Sequence, residues 1–245
     1  MIKRAGETGP FLREMAMNRR LEMLYQLIPK KGCGMIDVGT DHAQIPIRLA
    51  ENAYRGKIFA SDIAEAPIRT ARIAACEHGV ENQIRFLHCD GLALCPSDEV
   101  DTILIAGMGG DTICGILDRT EWIFSGDFLL VLQPMTHADV LRYWLVHNEF
   151  AISREVVIAD AGHVYQMFCA RPGKAGRYRD SEYLAGKRDS VSLGDGRRLL
   201  LQWERDRLQK KTMGMIIAGQ QDSPAFQFYR NILLEMEEDL KNADR

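Results

Sequence analysis

The chain of 245 residues is 46% hydrophobic, 27% charged and 8% aromatic, with a net charge of −3. These proportions suit one sizeable globular domain, or one domain with a small appendage, and exclude collagen-like, disordered and disulfide-scaffold classes. The longest purely apolar stretch, Phe128 to Leu132, is far short of the roughly 20 residues of a membrane span, and the N-terminal sequence lacks the apolar core of a secretory signal, so the expectation is a cytoplasmic protein without a membrane partner.

The charge is unevenly spread. Met1 to Lys31 carries 7 basic and 3 acidic residues, Gly32 to Ala170 carries 9 and 19, Arg171 to Lys211 carries 12 and 6, and Thr212 to Arg245 carries 3 and 6. Two cationic segments flank an acidic body, as in a protein that holds a polyanion with its appendages. Ordinary solvated helix faces account for the same pattern equally well. The cysteines Cys33, Cys76, Cys89, Cys95, Cys114 and Cys169 form no CxxC pair, so neither a zinc site nor a disulfide framework is expected, and most read as small buried hydrophobes.

In chain order, Met17, Leu21, Leu24, Tyr25 and Ile28 predict an amphipathic helix over Met15 to Ile28, stopped at Pro29. Five apolar runs follow, GMIDV, KIFAS, IRFLH, DTILIAG and DFLLVL, separated by helical stretches such as Ala66 to His78 and Asp111 to Leu117. Continuous apolar strands alternating with helices predict a mainly parallel α/β sheet covered on both faces. After a helix over Ala138 to His147, the runs SREVVIA and HVYQMFCA are joined only by Asp160-Ala161-Gly162, a link that permits an antiparallel hairpin and nothing else. A parallel sheet ending in such a hairpin is the layout of a Rossmann-like S-adenosylmethionine (SAM) methyltransferase. Arg171 to Gly196 reads as a linker or exposed loop, with a boundary near Gly173 that divides the chain into 1–172 and 173–245. Beyond it, Arg197 to Ala218, with Leu200, Trp203 and Leu208 on one side, and a helix opened by Ser223-Pro224 predict a helical, coiled-coil-like hairpin capped at Gly219.

The chemistry concentrates where the strands end. The first strand ends in Asp37-Val38-Gly39-Thr40-Asp41-His42, one glycine and then acids where a dehydrogenase carries GxGxxG. Carboxylates repel a pyrophosphate but welcome a ligand with an amino group and a sulfonium, which SAM has; Asp41 is equally explained as a helix N-cap, and His42 lies in the same turn. The second strand ends in Ser61-Asp62-Ile63, an acid placed to accept from ribose hydroxyls, and the third in Asp90-Gly91, placed for an adenine amino group. Each alone is a common cap or turn. The fourth strand runs into Ala106-Gly107-Met108-Gly109-Gly110, a glycine loop that lets a flat acceptor come close, and the fifth ends in Gln133-Pro134, with an amide for a base edge. The histidines show no metal-binding spacing.

DVGTDHAQIP, ASDIAEAP, DGL, IAGMGG, LQP with HADVLRYWL, and EVVIADAGHVYQM together resemble the bacterial tRNA (adenine-22-N1)-methyltransferase family, in order from about Arg20 to Ala170, and the helical tail is similar to that family's C-terminal coiled-coil domain. The resemblance implies a class I SAM methyltransferase with tRNA as partner. It matches Asp37, Gly39, Asp41 and Asp62 to the cofactor motifs, with Asp90 and Gly91 at the adenine end; His42, Ile63 and Ala106, at the same strand ends, are expected at the cofactor too. It matches Gly107, Met108, Gly109, Gln133 and Pro134 to the acceptor pocket and Arg142 and Tyr165 to positions near it; RNA contact is expected at these two, at Arg20 and, in the basic tail, at Arg197 and Arg198. Two positions depart from the family pattern: Met135 stands where Asn follows Gln-Pro, and Gln166 where Glu follows Tyr. Both bear on target choice. The implied reaction is direct in-line attack of adenine N1 on the methyl donor, with no prior deprotonation; Asp111 is one outlet for the proton lost afterwards. The alternatives are a non-catalytic RNA-binding module of the same fold, a small-molecule SAM methyltransferase and, disfavoured by the missing glycines, a nicotinamide oxidoreductase. Oligomeric state is not legible in the sequence; a monomer is one option.

Overall fold

The computed structural model describes residues 18–160, 162–188 and 195–243. Its strands are β1 (Lys31–Val38), β2 (Arg55–Asp62), β3 (Ile84–His88), β4 (Thr102–Gly109), β5 (Leu129–Thr136), β6 (Phe150–Asp160) and β7 (His163–Pro172), in one sheet of order β3-β2-β1-β4-β5-β7-β6. The first five pair in parallel, and β7 runs antiparallel to both β5 and β6. All five expected apolar runs and the hairpin are strands. Ala161, in the hairpin turn, and Met15 and Met17, at the start of the expected first helix, lie outside the described residues.

Alternation along the strands sorts the core. Met35, Leu104, Val131 and Met167 face α1 (Arg19–Leu27), α2 (Gln44–Glu51) and α3 (Glu65–Glu77), while Ile36, Ile105, Leu132 and Phe168 face α4 (Gly110–Asp118) and α5 (Ala138–His147). Helix α1 begins one turn after the expected start because Asn18 caps it, its Oδ1 accepting from the Leu21 N–H at 2.9 Å. Of the cysteines expected in the core, Cys114 and Cys169 are buried but Cys33 and Cys76 are exposed.

Beyond the sheet, α6 (Asp180–Ala185) occupies a segment whose composition reads as a loop. It is held by caps: the buried Glu182 carboxylate accepts from the backbone N–H groups of Arg179 and Arg188, each at 2.9 Å. Helices α7 (Asp195–Ile217) and α8 (Pro224–Ala243) fold back on each other through a turn at Gly219, φ +71°, and Ser223 Oγ caps α8 by accepting from Phe226 N–H at 3.2 Å. Their core, Leu200, Leu201, Leu208, Ile232 and Met236, meets Leu184 and Ala185 of α6 and rests on Val157 and Val164 of the β6–β7 hairpin. Trp203, expected on the buried side of α7, is 43% exposed.

Arg142 ties these parts together and is no RNA contact, because its side chain is fully buried. Its Nε donates to Glu155 Oε1 at 2.9 Å and its Nη2 to Gln166 Oε1 at 2.9 Å, while Nη1 donates to the carbonyls of Tyr183 and Leu184. Its guanidinium lies 4.8 Å from the Phe168 ring centroid. Arg197, also expected at RNA, is 11% exposed and donates to Asp239 at 2.5 Å, a fully buried carboxylate that Arg179 also engages at 2.8 Å. Breaking a buried pair leaves an uncompensated charge, so Arg142→Ala is expected to lower unfolding free energy by about 3–5 kcal/mol in urea titrations, and Arg142→Met with Glu155→Leu by much less.

Candidate active site

The C-terminal ends of β1, β2, β3, β4 and β5 share one edge of the sheet, and α1 closes over it at the β1–β4 junction. A cavity of about 260 Å³ there is lined by Arg20, Asp37, Gly39, Asp41, His42 and Ala106, among others. Gly39 stands at φ +74°, so the turn needs glycine for its backbone, and the tip of the Met108 side chain packs against it. The turn is pinned to β2 by Gly39 N–H and Thr40 N–H donating to Ser61 O at 2.8 and 3.0 Å.

Asp37 sits at the floor, 7% exposed. Burial pushes its carboxyl up to about 6; the Thr40 hydroxyl, donating at 2.7 Å, opposes that rise, Asp62 adds to it and Arg20 opposes it. The carboxylate therefore has a neutral hydroxyl as its direct partner. Arg20 enters the same cavity rather than an open RNA surface: its Nη1 donates to Gln133 Oε1 at 2.5 Å, and burial lowers its pKa. An amino-acid moiety offers an ammonium and a carboxylate, and this cavity offers Asp37 and Arg20. A zwitterionic, cationic ligand such as SAM fits that donor set.

The other cofactor candidates continue along the edge. Asp62 Oδ1 accepts from Ala64 N–H at 2.8 Å, and Ile63 is 67% exposed beside it. Asp90 is exposed and ion-paired with Arg119 at 3.2 Å, while Gly91, φ +54°, packs against Ile116. Asp41 and His42 are exposed neighbours, 3.6 Å apart.

On the acceptor side, β4 bulges. Ala106 pairs with Gln133, Met108 with Pro134 and Gly109 with Thr136, so Gly107, φ +79°, is pushed out of the ladder and exposed. Gln133 is fully buried, and both ends of its amide are engaged: Oε1 by Arg20, and Nε2 donating to Pro134 O at 2.8 Å. It positions Arg20 and Pro134 instead of presenting a free edge to a base. Met135 is 50% exposed on the same loop. Gln166 faces the core as an acceptor for Arg142, and Tyr165 is half-buried against the α1 side. Gly110 has the carbonyl oxygen of His137 at 2.1 Å from where a Cβ would stand, which locks the starts of α4 and α5 together. His137 also pairs with Asp111; the bond raises the imidazole pKa and holds the Asp111 carboxyl low, so Asp111 is a weak proton acceptor.

Sequence reasoning missed Thr40, whose only signal was its place between Gly39 and Asp41, and the α7 residues Trp203, Glu204 and Arg207, which line a second cavity of about 270 Å³ with Pro134, Met135 and Gln166. Glu204 is 4% exposed, and burial pushes its carboxyl up to about 7 against the opposing pull of Arg207. Among the described residues no group of three or more His, Cys, Asp or Glu side chains could hold a metal ion, and no helix is long and apolar enough to cross a membrane.

A family model for a methyltransferase domain matches residues 17–168. The tRNA (adenine(22)-N(1))-methyltransferase of Bacillus subtilis (strain 168) is 32% identical over 185 residues, 76% of this chain and 74% of that protein. The chain belongs to the tRNA (adenine(22)-N(1))-methyltransferase family. The crystal structure of the B. subtilis m1A22 tRNA methyltransferase matches with a TM-score of 0.72 at 25% identity, covering 93% of this chain and 97% of that one. Streptococcus pneumoniae Sp1610, crystallised with S-adenosyl-L-methionine, matches with a TM-score of 0.75 at 27% identity, over 91% of this chain and 99% of that one. These matches extend well past residue 168 into the helical tail.

Because the folded-state pKa of Asp37 lies above its ordinary value of 3.8, this group favours the fold below that pH, and its contribution is lost as pH rises through about 6. Asp37→Asn is therefore expected to raise unfolding free energy by about 1–3 kcal/mol at pH 8, with the gain vanishing toward pH 4, in paired urea titrations.

Proposed function

We propose that this chain transfers the methyl group of SAM to N1 of an adenine in tRNA, adenine 22 on the family's pattern. The observation that carries the proposal is the presence of a buried carboxylate, Asp37, and a guanidinium, Arg20, in one cavity that adjoins the glycine bulge of β4. Bound there, SAM supplies an electrophilic methyl group. The chain's own residues do the rest: Asp37 and Arg20 meet the two charges of the amino-acid moiety, Asp62 takes ribose hydroxyls, and Gly91 and Asp90 border the adenine end. Asp90 has to share its carboxylate with Arg119 or release it.

Adenine N1 has an in-plane lone pair, so no residue has to remove a proton before transfer. The site's task is alignment and exclusion of water. N1 is otherwise engaged in base pairing, so the nucleotide has to be unpaired or turned out of its helix. Gly107 gives a flat base room to approach, and Gln133 holds Arg20 and the Pro134 carbonyl in register. With Asp111 held as a weak base by His137, the proton released from N6 goes to solvent.

Of the two departures from the family pattern, Gln166 is compatible with turnover. Arg142 already has one carboxylate, Glu155; a second at position 166 would make that buried cluster net negative, whereas Gln166 accepts the same hydrogen bond and keeps it neutral. The proposal includes a catalytic unit over residues 1–172, a helical unit over 173–245 that contacts tRNA with Arg198 on its exposed side, and a cytoplasmic setting.

Incubating unmodified tRNA with protein and SAM, then digesting to nucleosides for mass spectrometry, is expected to yield 1-methyladenosine; tRNA binding without it would favour a non-catalytic RNA-binding module. Asp62→Ala is expected to raise the SAM Kd at least about tenfold by calorimetry, since losing hydrogen bonds of a charged acceptor removes about 1.5–3 kcal/mol, with the thermal midpoint lowered only by the lost bond to the Ala64 N–H. SAM affinity should also weaken as pH falls through about 6, where Asp37 takes up a proton, and Asp37→Asn should flatten that dependence.

A further inference from the structure

The second cavity, above the ends of β5 and β7, shares His137, Asp139 and Arg207 with a larger cleft of about 640 Å³ between α5, α6 and the α7–α8 hairpin. The cleft is lined by aromatic rings and by cations of α7. Tyr143 of α5 is 52% exposed and Phe228 of α8 48% exposed; Tyr183 lies 5.3 Å from Tyr143 and Tyr229 5.6 Å from Phe228 between ring centroids. Tyr143 is stacked on His147 at 3.7 Å between centroids, which fixes its plane. Lys211 Nζ lies 3.9 Å from the Tyr229 ring centroid and donates to its hydroxyl at 2.7 Å, and Arg207, one turn earlier, is half-exposed at the same rim with its Nε and Nη2 on Glu204 Oε2 at 2.8 and 2.7 Å.

We propose that this cleft binds an unstacked nucleobase of the RNA substrate, from a nucleotide close to the one methylated, with its phosphate on Lys211 and Arg207. The inference rests on the tRNA reading above and adds a second base site to it. Exposed aromatic faces are costly in water and suit a base, whose π-face stacks regardless of identity, while the neighbouring cations suit the attached phosphate. The segment Arg171 to Lys211 ends at this rim; Arg179, Arg188 and Arg197 turn to Asp239 and Arg207 pairs with Glu204, so Lys211 is the cation set to meet a phosphate, with Arg207 sharing its guanidinium between Glu204 and the cleft. Of the carboxylates on the walls, Asp111 is bound by His137, and Asp139 and Asp180 can accept from exocyclic amino groups of a base. Continuity with the space beside Pro134 and Met135 places the cleft next to the acceptor loop, where a neighbouring nucleotide of the same strand would lie.

The test uses the full chain and an unmodified tRNA transcript, with binding read by fluorescence anisotropy. Phe228→Leu keeps apolar volume and removes the ring; it should raise the tRNA Kd about tenfold, Phe228→Trp should restore it, and the SAM Kd and thermal midpoint should stay as in the parent. Lys211→Gln should weaken binding and reduce the slope of log affinity against log salt by about 1. If the parent chain methylates tRNA but both variants bind it within about twofold of the parent, the cleft is no base site and serves packing or a protein partner. If the parent chain neither binds nor methylates tRNA, this site and the tRNA reading fall together.

Discussion

A guanidinium cannot shed its charge inside a protein, so burying one compels every element around it to supply an acceptor. Arg142 is such a group, and its acceptors come from β6, β7 and α6. Those elements follow α5 in turn along the chain, and the one side chain fixes all three relative to it. Helices α7 and α8 pack on Leu184 and Ala185 of α6 and on Val157 and Val164 of the hairpin, and so rest on the frame that Arg142 holds.

At the sheet edge the electrostatics run in the opposite sense. Asp37 and Glu204 are both buried carboxylates pushed toward neutrality by loss of water, one at the β1 end and one reaching in from α7. Asp37 has a hydroxyl and Glu204 a guanidinium as nearest partner. A cationic ligand relieves the first, and it is the first that lies where open α/β sheets take their ligands.

The sheet was legible because parallel strands covered on both faces must be continuously apolar, and the hairpin because three residues cannot make a crossover. The glycine bulge of β4 was visible as IAGMGG. Arg142 was not: in HADVLRYWL it looks like one more polar helix residue, and its partners at 155, 166, 183 and 184 leave no local trace. Arg20 was misplaced for the same reason, since Gln133 lies 113 residues away. Helix α6 was hidden because side-chain caps, not an apolar stripe, hold it.

Val157 and Val164 carry a further consequence. On the outer strands of the sheet they look toward α6, α7 and α8, and Gly196 comes so near Val157 that a Cβ would stand 3.0 Å from its side chain. The tail thus shields a greasy strip on the most recently synthesised part of the sheet. A nascent chain that has emerged only as far as β7 displays that strip bare, so its risk of self-association persists until translation delivers the final helices.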